Sequence, residues 1–356
     1  MHILKKKKLC VGIICGGFSF EYEISLRSAI YIAQSIDINI FKVVILLIDK
    51  KGCWYLRDIN FEDLLECQQD DTCVSIVLQK KLHKLALSCN NINYLSVECD
   101  VFFPVVHGSP GEDGALQGLL RIMNVPYVGS DILASSVCMD KNITKCLLRD
   151  SGLLVAPFRT FYSNHQDDIN FADLVNLFGL PLFVKPANQG SSIGVQKVFS
   201  DKSFHQAVLY AFSFSNKILV EQAIYGRELE CAVLGNDNLE ISVFGEIILP
   251  EGDTYTYCHK YLDNVVQIKI PAAVDNIIKG VITEVVLCAV RLFHCTGMAR
   301  VDMFLTPENK IFINEINTVP GFTQNSMYPK LWEATGLSVR ELITKLIDLA
   351  LERHKY

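Results

Sequence analysis

With 356 residues, half of them hydrophobic, the chain is too long for one compact core and suits two or three domains. A net charge of -6 without a long basic patch excludes an electrostatic case for nucleic acid or for an anionic membrane surface, and no run approaches the roughly 18 apolar residues of a bilayer span. The 13 cysteines form no C-x-x-C pair, which points away from zinc or redox-motif chemistry and toward small buried hydrophobes in a reducing cytosol.

The basic start followed by Leu9 to Cys15 resembles a secretory leader only superficially, because the apolar run is short, holds Gly12 and lacks a small-residue cleavage site. It reads instead as a first buried strand. Gly16-Gly17-Phe-Ser19-Phe-Glu21-Tyr22-Glu23-Ile-Ser25 breaks that strand and leads into an amphipathic helix ending near Asp37. A glycine pair between strand and helix lets the backbone approach a ligand, although an ordinary tight turn uses the same residues. Phe41 to Ile48 is a second buried strand, and Cys53 to Ser96 reads as an irregular mixture of helix and strand. Val101 to Val106 then runs into His107-Gly-Ser-Pro-Gly-Glu112-Asp113-Gly114. This alternation predicts a doubly wound α/β domain over residues 1–130, with ligands beyond the strand C-termini.

Ser130 to Gly152 predicts one capped helix stopped by glycine, on which Lys141 alone would be a solvated residue. Leu182-Phe-Val-Lys185-Pro186 is a strand closed by proline, followed by Ala-Asn-Gln-Gly190-Ser191-Ser192-Ile-Gly194. Such small residues free backbone N–H groups to cradle an anion, and a lysine just before them adds a mobile charge. No Walker loop is present, since the lysine precedes the glycines. Lys217 to Glu230 joins two strands through a turn, with Glu221 and Glu228 on them. Residues 250–271 are polar and tyrosine-rich, a composition that suits a functional connection better than disorder. Val274 to Cys295 is a long amphipathic helix and Ser338 opens a terminal one.

Residues 297–321 predict two short strands joined by a Pro-Glu-Asn-Lys turn. Side chains alternate along a strand, so Arg300 and Asp302 share one face, Val301, Met303 and Leu305 the other, and Glu315 pairs with Asn317. Oxygen ligands without His or Cys suit a hard cation, and Mg2+ accepts one or two carboxylates before completing its shell with water and phosphate oxygens. A lone Asp-x-x-Glu pair would be a solvated hairpin. Here the apolar alternation sets these groups opposite a core face.

The R-x-D, hairpin, N-E-x-N-T-x-P-G-F-T arrangement resembles the C-terminal signature of the D-alanine:D-alanine ligases, a branch of the ATP-grasp superfamily. The resemblance spans nearly the whole chain in five separated motifs. It implies an ATP-grasp fold, α+β in the C-terminal part, preceded by the Rossmann-like domain 1–130 on the first D-alanine side. A central subdomain 131–222 would carry the phosphate lid, and 223–356 the metal site and an ω-loop. By resemblance, Glu21 binds the ammonium of the first D-alanine, with Tyr22 standing where the family often has His, and His107 lies beside the carboxylate. Lys141 (in Met-Asp-Lys), Lys185, Ser192 and Lys260 reach ATP, Glu221 sits at the adenine edge and Glu228 accepts the ribose hydroxyls. Ser191 orients Glu21 and Tyr261. Asp302, Glu315 and Asn317 hold two Mg2+ or Mn2+ ions. Arg300 and the Gly321 N–H meet the oxyanion, and Ser326 with Met327 takes the second substrate's carboxylate.

The implied activity is ATP-dependent joining of two D-alanines through a D-alanyl phosphate, for peptidoglycan precursors, in a cytoplasmic homodimer without nucleic-acid or membrane partners. Rival readings are a ligase forming D-alanyl-D-lactate or D-alanyl-D-serine, and a non-catalytic nucleotide-binding regulator on the same fold. The Lys260-Tyr261 pair, absent or altered in lactate-forming relatives, favours the dipeptide. No metal ligand is missing, which disfavours the regulator.

Overall fold

The computed structural model describes residues 8–57, 73–77, 85–89, 93–97, 99–248 and 267–355. Three sheets succeed one another along the chain. The first holds β1 (Leu9–Gly16), β2 (Phe41–Ile48), β3 (Trp54–Arg57), β4 (Cys73–Val77), β5 (Leu85–Cys89), β6 (Asn93–Val97) and β7 (Val101–Pro104), in the order β6-β5-β4-β3-β2-β1-β7. β1 runs parallel to β2 and β7 on either side of it. Alternate residues of β1 bury against helices on opposite faces: Val11, Ile13 and Cys15 join Leu26, Ala29 and Ile32 of α1 (Tyr22–Ser35), whereas Cys10 and Ile14 join Leu116 and Leu120 of α2 (Ala115–Ile122). Double winding therefore follows from a strand that is apolar on both faces.

Two expectations need correction. Among the described residues, the stretch expected to be irregular is an antiparallel meander, β3 to β6, that extends this sheet. Its strands are short and carry their period-two pattern over only four or five residues. The single helix expected over 130–152 is two, α3 (Ile132–Met139) and α4 (Lys141–Asp150). Asp140 is extended between them, and its carboxylate accepts the Asn142 and Ile143 N–H groups at 3.0 and 3.1 Å. A side chain that bonds its own backbone in this way starts a new helix rather than continuing the old one. The Lys141 N–H is left to donate to Ala187 O at 2.8 Å, tying α4 to the loop after Pro186.

The second sheet is antiparallel: β8 (Phe158–Tyr162), β9 (Leu182–Pro186), β10 (Gln196–Val198) and β11 (Lys217–Gln222), ordered β10-β9-β11-β8. Helices α5 (Phe171–Phe178) and α6 (Asp201–Phe212) cover one face, packing Leu174, Phe204 and Ala207 on Leu182, Val184, Ile218 and Val220. The third sheet holds β12 (Arg227–Gly235), β13 (Glu240–Ile248), β14 (Gln267–Lys269), β15 (Gly297–Leu305) and β16 (Ile311–Asn317), ordered β14-β13-β12-β15-β16. Helix α7 (Asn276–Leu292) covers one face; α8 (Met327–Thr335) and α9 (Val339–Arg353) cover part of the other.

Arg353, at the end of α9, fastens the first sheet's exit to the third sheet. Its guanidinium donates to Gly129 O, to Thr296 Oγ1 at 2.6 Å and to Tyr127 O at 2.9 Å, and lies 4.6 Å from the Tyr127 ring centroid. No helix among the described residues is long and apolar enough to cross a membrane.

Candidate active site

Pairing of β12, β15 and β16 sets the site. Glu228 lies opposite Phe304, Glu230 opposite Asp302 and Leu234 opposite Met298; across β16, Asp302 meets Glu315 and Arg300 meets Asn317. The intervening residues Leu229, Cys231, Val233, Val301, Met303 and Leu305 all bury under α7. The opposite face thus changes character along its length, from Glu228 and Phe304, through the charged middle, to Leu234 and Met298 under α8 and α9. The face shared by Arg300, Asp302, Glu315 and Asn317 is the one their spacing predicts.

In the middle, Arg300 donates from Nε and Nη2 to Asp302 at 2.7 and 2.6 Å and holds Glu230 at 2.9 Å, while Asn317 Nδ2 donates to Asp302 Oδ2 at 3.1 Å. Asp302 and Glu230 are each only 2% exposed. Burial disfavours the Arg300 charge, but Asp302 and Glu230 more than offset this and hold its pKa well above the usual value. Among the described residues no three His, Cys, Asp or Glu side chains converge as a ready metal cage. The donor set Asp302, Glu315 and Asn317 nevertheless fits a hard divalent cation: it is all oxygen once the Asn317 amide makes a half-turn, and nearby carboxylates outnumber Arg300.

A cavity of about 450 Å³ lies between this face and the second sheet. Phe183, Ile247 and Phe304 give it an apolar slot, Glu228 stands on its wall, and Lys141, Lys185 and Lys197 carry positive charge into it. Such a volume, lined about equally by apolar and by polar or charged groups, suits a small polar ligand with an apolar part. Lys141 links its two halves, donating to Gln189 O at 2.6 Å and lying 3.7 Å from Glu315. Lys185, at the exit of β9, contacts Glu221 at 2.6 Å, and Lys145 approaches the other oxygen of that carboxylate at 3.4 Å. Burial raises the Glu221 pKa, but the two lysines prevail and bring it below the usual carboxylate value. Glu221 borders the cavity, yet its carboxylate is directed at these lysines.

The loop expected to be the lid, Gly190 to Gly194, reaches back to Glu21 beside the first sheet. Ser191 and Ser192 adopt φ of 49° and 58°, and Ser191 Oγ donates to Glu21. A Cβ on Gly190 would stand 3.1 Å from the same carboxylate, so glycine permits the approach. Glu21 caps α1 by position but leaves the helix N–H groups to other partners, its side chain being turned to the lid. Nearby, His107 is 2% exposed, with Nε2 3.0 Å from Ser28 Oγ and Nδ1 3.4 Å from Glu112. Burial lowers its pKa, but Glu112 and then Glu21 outweigh this and raise it. Tyr22 faces elsewhere: it packs beside the α1 core with the Lys50 ammonium 4.9 Å from its ring.

Gly321 sits where a Cβ would lie 3.1 Å from Ser326 Oγ. That hydroxyl accepts from Thr323 N–H at 2.9 Å, and Met327 buries its side chain among the α8 core, leaving only its backbone to meet a ligand. Lys260 and Tyr261 lie outside the described residues. Sequence reasoning missed Lys145, Glu230, Glu112 and Lys197 as site-bordering charges. Glu230 had a signal, since it shares strand parity with Glu228; Lys145 had a weaker one, four residues from Lys141 on a helix.

The family profile described as D-ala D-ala ligase N-terminus matches residues 10–130, and that described as D-ala D-ala ligase C-terminus matches residues 147–348. The chain belongs to the D-alanine:D-alanine ligase family. Its similarity to D-alanine--D-alanine ligase A of Escherichia coli (strain K12) is 51% identity over 98% of this chain and 97% of that protein. The D-alanine-D-alanine ligase structure from Coxiella burnetii superposes with a TM-score of 0.84 at 37% identity, covering 98% of this chain and 96% of that one. The VanG D-Ala:D-Ser ligase structure from Enterococcus faecalis gives 0.84 at 34%, covering 97% and 100%. The fold is thus the ATP-grasp fold of these ligases, with the cavity between its two antiparallel sheets.

Proposed function

We propose that the chain uses ATP to join two D-alanines into D-alanyl-D-alanine for peptidoglycan precursors, in the cytoplasm and as a homodimer. The observation that carries this reading is the single sheet face running from Glu228 beside the 450 Å³ cavity to Arg300 and Asn317, with Glu21, Ser191 and Ser326 as candidate substrate groups around it. A free carboxylate is a poor electrophile. The first D-alanine therefore takes the γ-phosphoryl group of ATP, releasing ADP, and the deprotonated amine of the second displaces phosphate to form the amide.

Phe183, Ile247 and Phe304 supply an apolar slot for the base, Glu228 accepts from the ribose, and Lys141, Lys185 and Ser192 face the phosphates. Glu21 and His107, whose pKa Glu112 raises against the effect of burial, take the ammonium and carboxylate of the first D-alanine. Arg300 and the Gly321 N–H meet the tetrahedral oxyanion, and Ser326 with the Met327 backbone holds the second carboxylate. Asp302, Glu315 and Asn317 would hold Mg2+ or Mn2+, which supplies charge neutralisation for the triphosphate. Tyr261 and Lys260 complete the assignment from the sequence, and that pair favours a dipeptide over a depsipeptide product. Phosphate release with ATP and Mg2+ should be at least ~100-fold faster with D-alanine than with L-alanine, an expected ratio for a site that places amine and carboxylate separately. Equal rates would remove the stereospecific assignment.

A further inference from the structure

Helix α4 points two lysines one turn apart in the same direction. Lys141 reaches the cavity, whereas Lys145 stops behind its wall, 1% exposed and 3.4 Å from Glu221 Oε1. Neither of those two atoms has a hydrogen-bond partner among the described residues. Lys185, which does face the cavity, is held by the other Glu221 oxygen at 2.6 Å. Lys185 and Glu221 alone would form a neutral pair and offer little to a polyanion. With Lys145 the cluster has two cations to one anion, and the surplus stands where Lys185 enters the cavity.

We propose that Lys145 is a positioning residue for the nucleotide, acting through Glu221 to preserve the charge that Lys185 presents to the phosphates without itself touching them. The inference rests on reading the cavity as the ATP site. An apolar chain of equal length would fill the same volume without the cost of burying an ammonium. That cost is visible in the Lys145 pKa, which burial lowers to about 8 against the pull of Glu221. Near pH 7 the group still carries its proton.

The test is calorimetric binding of adenosine, ADP and ATP to the full-length wild type, Lys145→Met and Lys145→Arg. Removing one poorly screened charge should weaken ATP about tenfold and ADP less in Lys145→Met, leave adenosine within about twofold, and leave the KM for D-alanine unchanged. Lys145→Arg, which keeps the charge, should recover most of the ATP affinity. Should Lys145→Met not fold, Lys145→Gln carries the same comparison. Equal shifts for all three ligands would assign Lys145 a packing role and overturn the proposal, as would no shift at all. A wild type that binds adenosine as well as ATP would instead refute the cavity as the ATP site.

Discussion

Two buried ion clusters lie on the two sheets that enclose the cavity, each reaching it through a member, Lys185 and Glu221 on one side and Glu315 on the other, and they are built with opposite imbalances. On the second sheet, Lys145 and Lys185 share Glu221, an excess of positive charge. On the third, Arg300 is divided between Glu230 and Asp302 with Glu315 across the ladder, an excess of negative charge. Neither imbalance would persist cheaply in a merely structural ion pair, because a buried charge without its counter-ion is strongly destabilising. The first suits an anion and the second a cation. The contrast is what a metal-bound triphosphate would require of two facing walls.

The sharpest way to break this contrast is to alter the negative wall without disturbing its packing. Glu315→Gln should reduce turnover at least ~1000-fold, a loss expected for a metal ligand in phosphoryl transfer, while leaving the melting temperature close to wild type. Near-normal turnover would dismiss the cation assignment. Arg300→Met acts on the same wall differently: it strands Asp302 and Glu230, each 2% exposed, and should cost about 3–5 kcal/mol of folding stability by denaturant titration. If stability is unchanged, the cluster is solvated and the imbalance carries no meaning.

A smaller effect should come from the first sheet, where one anion meets one ring. The pKa of His107 is raised in the folded protein, chiefly by Glu112 working against burial. A raised pKa means that the folded state binds the proton more tightly, so this contribution is full below the unfolded value of about 6.5 and is lost as pH climbs through the folded one. Glu112→Gln should therefore be less stable than wild type near pH 6, and thermal melts should show the gap narrowing steadily toward pH 9. A gap that does not change with pH would mean that Glu112 stabilises by packing alone.

Much of the site was legible because strands write their two faces in alternate letters. Val301, Met303 and Leu305 declare the buried face, and Arg300, Asp302, Glu315 and Asn317 follow by parity. The Lys185 strand and the glycine-serine loop were equally readable, since small residues after an apolar run mark a turn, whereas the positive φ of Ser191 and Ser192 was not. Lys145 was not readable. A lysine on an amphipathic helix looks solvated, and only its approach to Glu221 of β11 in the folded chain shows it buried. Nor was the break at Asp140, where one carboxylate competes with the helix for the same N–H groups. The β3–β6 meander was missed because four strands of four or five residues leave little periodicity to detect.

The clasp made by Arg353 has a consequence for how the molecule matures during synthesis. The first and second sheets are made before the third and can begin to condense as they emerge. The guanidinium that fastens Tyr127 and Gly129 to Thr296 stands at the end of α9, beyond all three sheets in chain order, so this joint closes only once α9 has been made. Until then, the half carrying Glu21 and His107 lacks that fastening.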